Sequence, residues 1–463
     1  MPVNSFDDYP MSWRPTIDRN EKPLYLFLAN QLEKDIKDGV LLPGTKLPPQ
    51  RELADYLDVN VSTISKAFKA CELKGLLSAT VGCGTFVSFD ALSNAYLLDY
   101  SRPKNNVIEM GATLPDSASY EPILMQLKQM LNEHDYVRWF NYARPDDVSW
   151  QKDAAVKLMK LSGYSTSIDR ILFANGAQNA IMASIIGLCT YGDKIGTDPH
   201  TLAGLKTLAS MVGVQLVPIR QKDGEMDPEA LIYACRNDNI KGIYLIPDCH
   251  NPTTHRMSRT RRRMLAEIAR EHDIFIIEDA MLPLLYKKRT ESVASFAPDN
   301  TIYISSMAKI IAPGLRMAYI SVPARYKKTL SNALYNINIS VSPLISELVA
   351  RIIVSGAITT IVESHRKNAV VRNKLVNHYL GDFDCHGTDT CIFRWLQLPP
   401  SVTGTEFELL ALREGVQVYA AERFTVGNST PFKAVRVSIC AVETTEELER
   451  GLMLLRNLLN AVK

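Results

Sequence analysis

From Ile108 onward the chain alternates short β-rich apolar runs with stretches of helical period, and this alternation restricts its fold more than any other feature. "ILFA" leads through Asn175 and Gly176 into "AQNAIMASIIGLC", and "GIYLIPD" precedes Asn251. "SRTRRRMLAEIAREH" has the period of a helix, while "IFIIED", "TIYIS" and "MAYISV" are further β-rich runs. Strands that alternate with helices build parallel sheets, so residues 108 to 463 are expected to form an α/β domain with a mainly parallel sheet. Ligands of such domains sit beyond the carboxyl ends of the strands.

That rule selects a small set of side chains. The expected strand ends deliver Asn175-Gly176-Ala177-Gln178, then Asn251-Pro252, then Asp279, then Ser306, Lys309 and Arg316 within "SSMAKIIAPGLR"; Arg436 follows in "KAVRVSI". Their chemistry is coherent as one cofactor site. A lysine can form a Schiff base with an aldehyde, and a buried carboxylate can hold a pyridine nitrogen protonated so that the ring withdraws electrons. Amides at a helix N-terminus, a hydroxyl and a guanidinium suit a phosphate monoester. These are the needs of pyridoxal 5′-phosphate (PLP). Taken singly, a lysine before an apolar run is ordinarily a surface residue and an Asn-Pro pair a turn; order and spacing carry the reading.

The first 88 residues read differently. "PLYLFLANQLEKDIKDG" places Leu24, Phe27, Leu28, Leu32 and Ile36 on one helical face, ended by Gly39. Gln50 to Leu57 makes a short second helix with Leu53, Ala54 and Leu57 inward. Asp58 and Val59 turn the chain, Asn60 has the chemistry of an N-cap, and a third helix runs to Gly75 with Ile64, Ala67, Phe68 and Leu73 as its buried stripe. Short helix, turn and longer helix are the helix-turn-helix arrangement, whose second member presents its N-terminal end to the major groove. Ser62, Thr63 and Lys66 lie at that end. "LLSATVGCGTFV" adds a hairpin around Gly82 and Gly84, a wing whose glycines permit close approach to phosphate. Residues 89 to 107, "FDALSNAYLLDYSRPKN" and the two that follow, have no sustained period and read as a linker.

Residues 1 to 88 resemble the winged helix-turn-helix domain of the GntR family of bacterial regulators, through "PLY", "LPPQRELA", "VSTISKAF", "KGLL" and "GCGTFV". The resemblance implies that Arg51 contacts phosphate, that Ser62 and Thr63 contact backbone or base edges, and that Gly82 meets the backbone on the wing side. Val61 stands where the family often has Arg or another polar residue, which thins the base-reading inventory. The segment holds ten basic and eleven acidic residues, so the expectation of double-stranded promoter DNA as partner rests on pattern and not on charge.

Residues 108 to 463 resemble the fold-type I aminotransferases, and the two-part chain resembles the MocR subfamily of GntR regulators, most strongly at "GAQNA", "NPTTHRMS", "IIED" and "SSMAKIIAPGLR". By that resemblance Lys309 carries the cofactor as a Schiff base, Asp279 pairs with the ring nitrogen and Asn251 bonds the ring hydroxyl. Ala177, Gln178, Ser306 and Arg316 hold phosphate, and Arg436 takes the carboxylate of an amino-acid-like effector. The departures matter as much. Leu282 stands where the family has a tyrosine, the ring-stacking aromatic is replaced by Leu202 with His200 nearby as a substitute, and Ala308 replaces the usual serine before the lysine. Losing the tyrosine weakens proton shuttling, so binding of the cofactor is expected and efficient transamination is not.

The remaining features set bounds. With 463 residues, 46% hydrophobic, the chain can bury more than one core. A formal charge of +2 gives no global argument for nucleic acid or membrane. Eight cysteines without a C-x-x-C pair suggest neither zinc nor a disulfide framework, and with a polar start and no long apolar run the expectation is a cytoplasmic protein. The basic run Arg259 to Arg263 opens a helix, the unfavourable end for positive charge, and reads as a solvated face. The expected function is a homodimeric transcription factor that senses PLP, an amine or an amino acid. The competing readings are an aminotransferase with an appended DNA-binding module and a cofactor-free dimerisation scaffold.

Overall fold

The computed structural model describes residues 11–17, 23–38, 40–41, 44–74, 76–80, 84–88, 107–115, 120–133, 136–142, 145–427 and 429–463. It divides into two compact units, Met1–Asn105 and Asn106–Lys463. The linker expected at 89 to 107 lies outside the described residues except for Val107, as do Gly39, Gly75 and Gly82.

In the first unit, α1 (Leu24–Lys37), α2 (Gln50–Leu57) and α3 (Val61–Leu73) precede an antiparallel hairpin of β1 (Leu77–Thr80) and β2 (Gly84–Val87). The apolar spacing in α1 turns Leu28, Leu32 and Ile36 inward, where they share a core with Leu53, Ala54, Ile64, Ala67 and Phe68. Asp58 ends α2 in the left-handed conformation, with φ of 50°, and so reverses the chain into α3. Asn60 caps α3, its Oδ1 accepting from Ser62 N at 2.8 Å. Removing that acceptor in Asn60→Ala is expected to cost about 1 kcal/mol of local stability. Hydrogen exchange in the full-length protein should then show α3 amides opening about fivefold more often, with the second unit unchanged.

The second unit is built on seven strands: β3 (Ile171–Ala174), β4 (Lys194–Thr197), β5 (Gln215–Pro218), β6 (Gly242–Leu245), β7 (Phe275–Ala280), β8 (Thr301–Ser306) and β9 (Ala318–Ser321). Their order across the sheet is β3-β9-β8-β7-β6-β4-β5. All neighbours are parallel except β9, which runs against both β8 and β3. β6 to β9 are buried along their whole length, which is why they read as unbroken apolar runs. A second sheet, of β10 (Cys385–His386), β11 (Phe393–Gln397), β12 (Tyr419–Ala420) and β13 (Ala434–Ser438), is antiparallel in the order β10-β11-β13-β12. Ile108–Glu109 pairs with Val416–Gln417, and Ser438 N donates to Met110 O, so the segment that opens this unit is laid against its C-terminal part. No single helix among the described residues is long and apolar enough to cross a membrane.

The basic run at 259 to 263 departs from the solvated face expected of it. Helix α4 (Arg259–Glu271) is capped by Ser258, and Arg259 and Arg263 are exposed and paired with Glu291 and Glu267. Arg262, by contrast, is fully buried. It donates to Pro247 O at 2.9 Å, Met257 O at 3.1 Å and Asp248 Oδ1 at 2.9 Å, so acceptors from a distant loop compensate a charge that the helix end alone would disfavour.

Candidate functional sites

The sheet register assembles the expected residues at one edge. Ala280 lies opposite Ser305, Ser306 opposite Ala318, and Ala318 opposite Ala174, so the ends of β7, β8 and β3 and the start of β9 form a row. Asp279, Ser306, Arg316 and the turn Asn175-Gly176 all issue from that row. Gly176 has φ of 88°, and a Cβ there would lie 2.8 Å from Arg316 Nη2, so the guanidinium passes directly over the glycine. The helix that follows, Ala177–Leu188, starts at this point, and the first N–H groups of a helix have no intrahelical acceptor. Ala177, Gln178 and Arg316 therefore converge. Ser306 is buried and its Oγ accepts from Ala308 N at 3.3 Å, bracing the turn that carries Lys309.

Lys309 donates its ammonium to Thr113 O. Burial, with Arg436 and Arg316 nearby, pushes the Lys309 amine down to about 8, while Asp279 opposes that shift. Asp279 is buried, and burial pushes its carboxyl up to about 6 against the pull of Tyr244 and Lys309. Tyr244 Oη donates to Asp279 Oδ2 at 2.9 Å, and Asp279 Oδ1 is buried with no partner among the described residues. Asn251, whose bond to Pro252 is cis, is buried and accepts from Arg436 Nη1 at 2.6 Å. Arg436 Nη2 donates to Gly111 O at 2.7 Å, its Nε is buried without a partner among the described residues, and the guanidinium lies among the rings of Phe393, Tyr419 and Phe424. A Cβ at Gly111 would come within 2.4 Å of Tyr419, so this close approach of backbone to Arg436 depends on glycine.

One expectation about the ring's neighbours is placed differently. His200 is buried and stacked on Phe432, with ring centroids 4.3 Å apart, and its Nε2 accepts from Phe432 N, so it is committed to that aromatic and not presented as a substitute stacking group. Leu282 is buried among apolar side chains of the C-terminal part. Residues missed in the sequence are Tyr244, Gly111 and Thr113, none of which carries a local signal. Replacing Tyr244 by Phe removes a hydrogen bond that favours the ionised form of Asp279, worth roughly 1.5–3 kcal/mol for a charged acceptor. The acid midpoint for cofactor binding, read from absorbance titrations, is expected to move upward in Tyr244→Phe.

On the first unit, Arg51, Ser62 and Lys66 are exposed and Thr63 is half-buried, all at the N-terminal ends of α2 and α3. Ser65 Oγ donates to Gln50 Oε1 at 2.5 Å, tying the two helices together at those ends. Val61 is 38% exposed, so it presents an apolar surface beside Ser62. Gly82 falls outside the described residues. No group of three or more His, Cys, Asp or Glu suited to a metal ion occurs among the described residues.

A helix-turn-helix with a wing, followed by a large unit whose lysine, aspartate and phosphate-suited turn meet at one sheet edge, defines a DNA-binding regulator with an enzyme-like second domain. The model of the bacterial regulatory proteins of the gntR family matches residues 24–87, and that of aminotransferase class I and II matches residues 105–455. The uncharacterized HTH-type transcriptional regulator YdeF of Bacillus subtilis (strain 168) is 62% identical over 460 residues, 99% of each chain. YjiR of Escherichia coli (strain K12), also an uncharacterized HTH-type transcriptional regulator, is 24% identical over 465 residues, 92% of this chain and 97% of that one. An archaeal alanine:glyoxylate aminotransferase of known structure covers 80% of this chain and 95% of its own with a TM-score of 0.72 at 19% identity, which shows the fold. The chain belongs to the GntR transcriptional regulators of MocR type, in which the winged domain is joined to a domain of the class I and II aminotransferase family.

Proposed function

We propose that the large unit binds PLP and that its ligand state governs the grip of the winged unit on promoter DNA. One observation carries the reading: a buried carboxylate, Asp279, is held by Tyr244 on one oxygen and lacks a partner on the other, in the site whose amine is Lys309. An orphaned buried acceptor of this kind fits a protonated ring nitrogen. When bound, PLP supplies an aldehyde for amines and an electron-withdrawing ring. The chain's own residues then have distinct tasks. Lys309 takes the aldehyde, Asp279 holds the nitrogen, Ala177, Gln178, Ser306 and Arg316 take the phosphate, and Asn251 serves the ring hydroxyl.

Arg436 is the residue through which an effector acts. An amine-bearing carboxylate would compete for Arg436 with Asn251 and Gly111, its acceptors in the structure, and for the aldehyde with Lys309, whose ammonium otherwise rests on Thr113 O. These exchanges change contacts between the opening segment, the strand ends and β13, and a ligand shifts DNA affinity through such differences between two arrangements. Loss of the family's tyrosine at Leu282 weighs against rapid turnover, which favours a sensor over an aminotransferase. On DNA, Arg51 takes phosphate, Ser62, Thr63 and Lys66 take backbone or base edges, and exposed Val61 suits a thymine methyl. The active form is a homodimer reading paired half-sites.

The test is a titration of the purified full-length protein with PLP, followed by absorbance and then by anisotropy on duplexes that the protein selects from a random pool. A saturable visible band, with DNA affinity that changes when an amino acid is added, supports the sensor. A colourless protein with unchanged DNA affinity supports the scaffold, and steady keto-acid production at roughly 1 per second or faster supports the enzyme.

A further inference from the structure

Away from the strand-end site, the second unit contains a cavity of about 320 Å³ between the end of the helix Pro145–Leu161, the loop around residues 284 to 289, and the first turns of helix α5 (Ala357–Leu380). That is space for about ten waters at ~30 Å³ each, in the size range of small-molecule sites. Leu161, Leu284, Ile358 and Val362 give it apolar walls, and Lys287, Arg289 and Arg366 give it positive charge.

The two arginines are oriented without being neutralised. Arg289 Nε donates to Leu161 O at 3.1 Å, and its Nη1 is buried with no hydrogen-bond partner among the described residues. Arg366 is tethered by Nε to Leu285 O at 3.1 Å and by Nη2 to Leu284 O at 2.9 Å. These acceptors are carbonyls, which fix a guanidinium but carry no net charge. Burial and then the neighbouring Arg366 disfavour the charge on Arg289, while the carboxylate that favours it, Asp248, is already shared by Arg262 and Arg256. Ile358 and Thr359 add the positive end of a 24-residue helix. Among the lining residues the one carboxylate is Glu363, which is exposed and leaves the three cations in surplus, while the apolar walls beside them favour an anion that carries an apolar body over bare phosphate. Two guanidinium groups that line the cavity, held by carbonyl acceptors over an apolar floor, suit an anion with an apolar body.

We propose that this cavity binds a small monocarboxylate, its carboxylate between Arg289 and Arg366 and its apolar body against Leu161, Leu284, Ile358 and Val362. The site is separate from the one assigned to PLP, and its occupancy does not depend on that assignment.

Calorimetric titration of phenylacetate into the full-length protein tests it, with phenylacetamide and inorganic phosphate as comparison ligands. One saturable site is expected for phenylacetate, weakened about tenfold or more for the neutral amide and for phosphate, and by a similar factor in Arg289→Gln. Lys287→Ala, a change at an exposed residue, should weaken it severalfold, and thermal melting identical to the parent will show that both variants are folded. Unaltered phenylacetate affinity in both variants would place the binding elsewhere, Arg436 included, and overturn the proposal. Equal binding of the amide, stronger binding of phosphate, or absence of saturation up to roughly 10 mM would overturn it as well.

Discussion

Replacement of Lys309 by alanine is expected to abolish borohydride-stable attachment of PLP and to lower cofactor affinity roughly a hundredfold, about 2.7 kcal/mol. The parent protein should retain the cofactor after borohydride and denaturation; the variant should release all of it, although the Gly176-Ala177-Gln178 turn and Arg316 still converge on the proposed phosphate position. The amine is suited to this role because its surroundings disfavour its charge. With Lys309 pushed down to about 8 by burial, Arg436 and Arg316, about a quarter of it is neutral at pH 7.5, against about a thousandth for an ordinary lysine. Uptake of PLP, followed by stopped-flow absorbance, should therefore accelerate from pH 7 through 8 and level off above about 9, before the ordinary lysine range. Asp279 acts at the other end of the scale. Its carboxyl is raised to about 6, so the ionised form proposed to hold the ring nitrogen is present above that pH and lost as pH falls through it. Affinity should fall below about pH 6 in the parent, and an unchanged affinity across pH 5 to 7 would remove Asp279 from the role.

How much of this was legible in the sequence follows from whether the cause is local. The second helix of the winged unit falls on Gln50–Leu57 as its spacing predicts, and Asn60 caps the third, because both depend on neighbours within a turn. The strand ends were readable too, since unbroken apolar runs bounded by helices mark parallel strands. Tyr244 was not. Inside "GIYLIPD" it looks like one more buried aromatic, and its partner depends on register: Tyr244 lies opposite Ile277, so Asp279, two residues on, shares its face of the sheet. The same alternation sends Glu278 to the other face, where it accepts from Val293 N and Ala294 N and burial pushes it up to about 7. "IIED" thus contains one carboxylate for the site and one for the fold, and sequence spacing alone does not say what each will meet. Arg262 shows the converse error, a charge read as solvated whose acceptors come from a loop fifteen residues away. Thr113 and Gly111 were invisible because the opening segment reaches the site through its pairing with Val416–Gln417.

The second large effect is expected on DNA. Arg51→Ala should weaken binding to selected duplexes by about tenfold or more per subunit and should lower the steepness of the salt dependence by about one counterion per subunit, while leaving sequence preference in place. Arg51 is exposed in the first turn of α2, and Gln50 beside it is fastened to Ser65 of α3, so the phosphate contact proposed for Arg51 would be held in fixed relation to the end proposed to meet base edges. Affinity without sequence content is the signature of a backbone contact. The neighbouring positions should respond in the opposite way. Val61→Ala removes an exposed apolar group and should change which bases are tolerated beneath it more than it changes the salt slope. With ten basic and eleven acidic residues in the first 88, the winged unit has no general excess of positive charge to replace Arg51. An unchanged salt slope in Arg51→Ala would therefore mean that the helix pair meets DNA through another face.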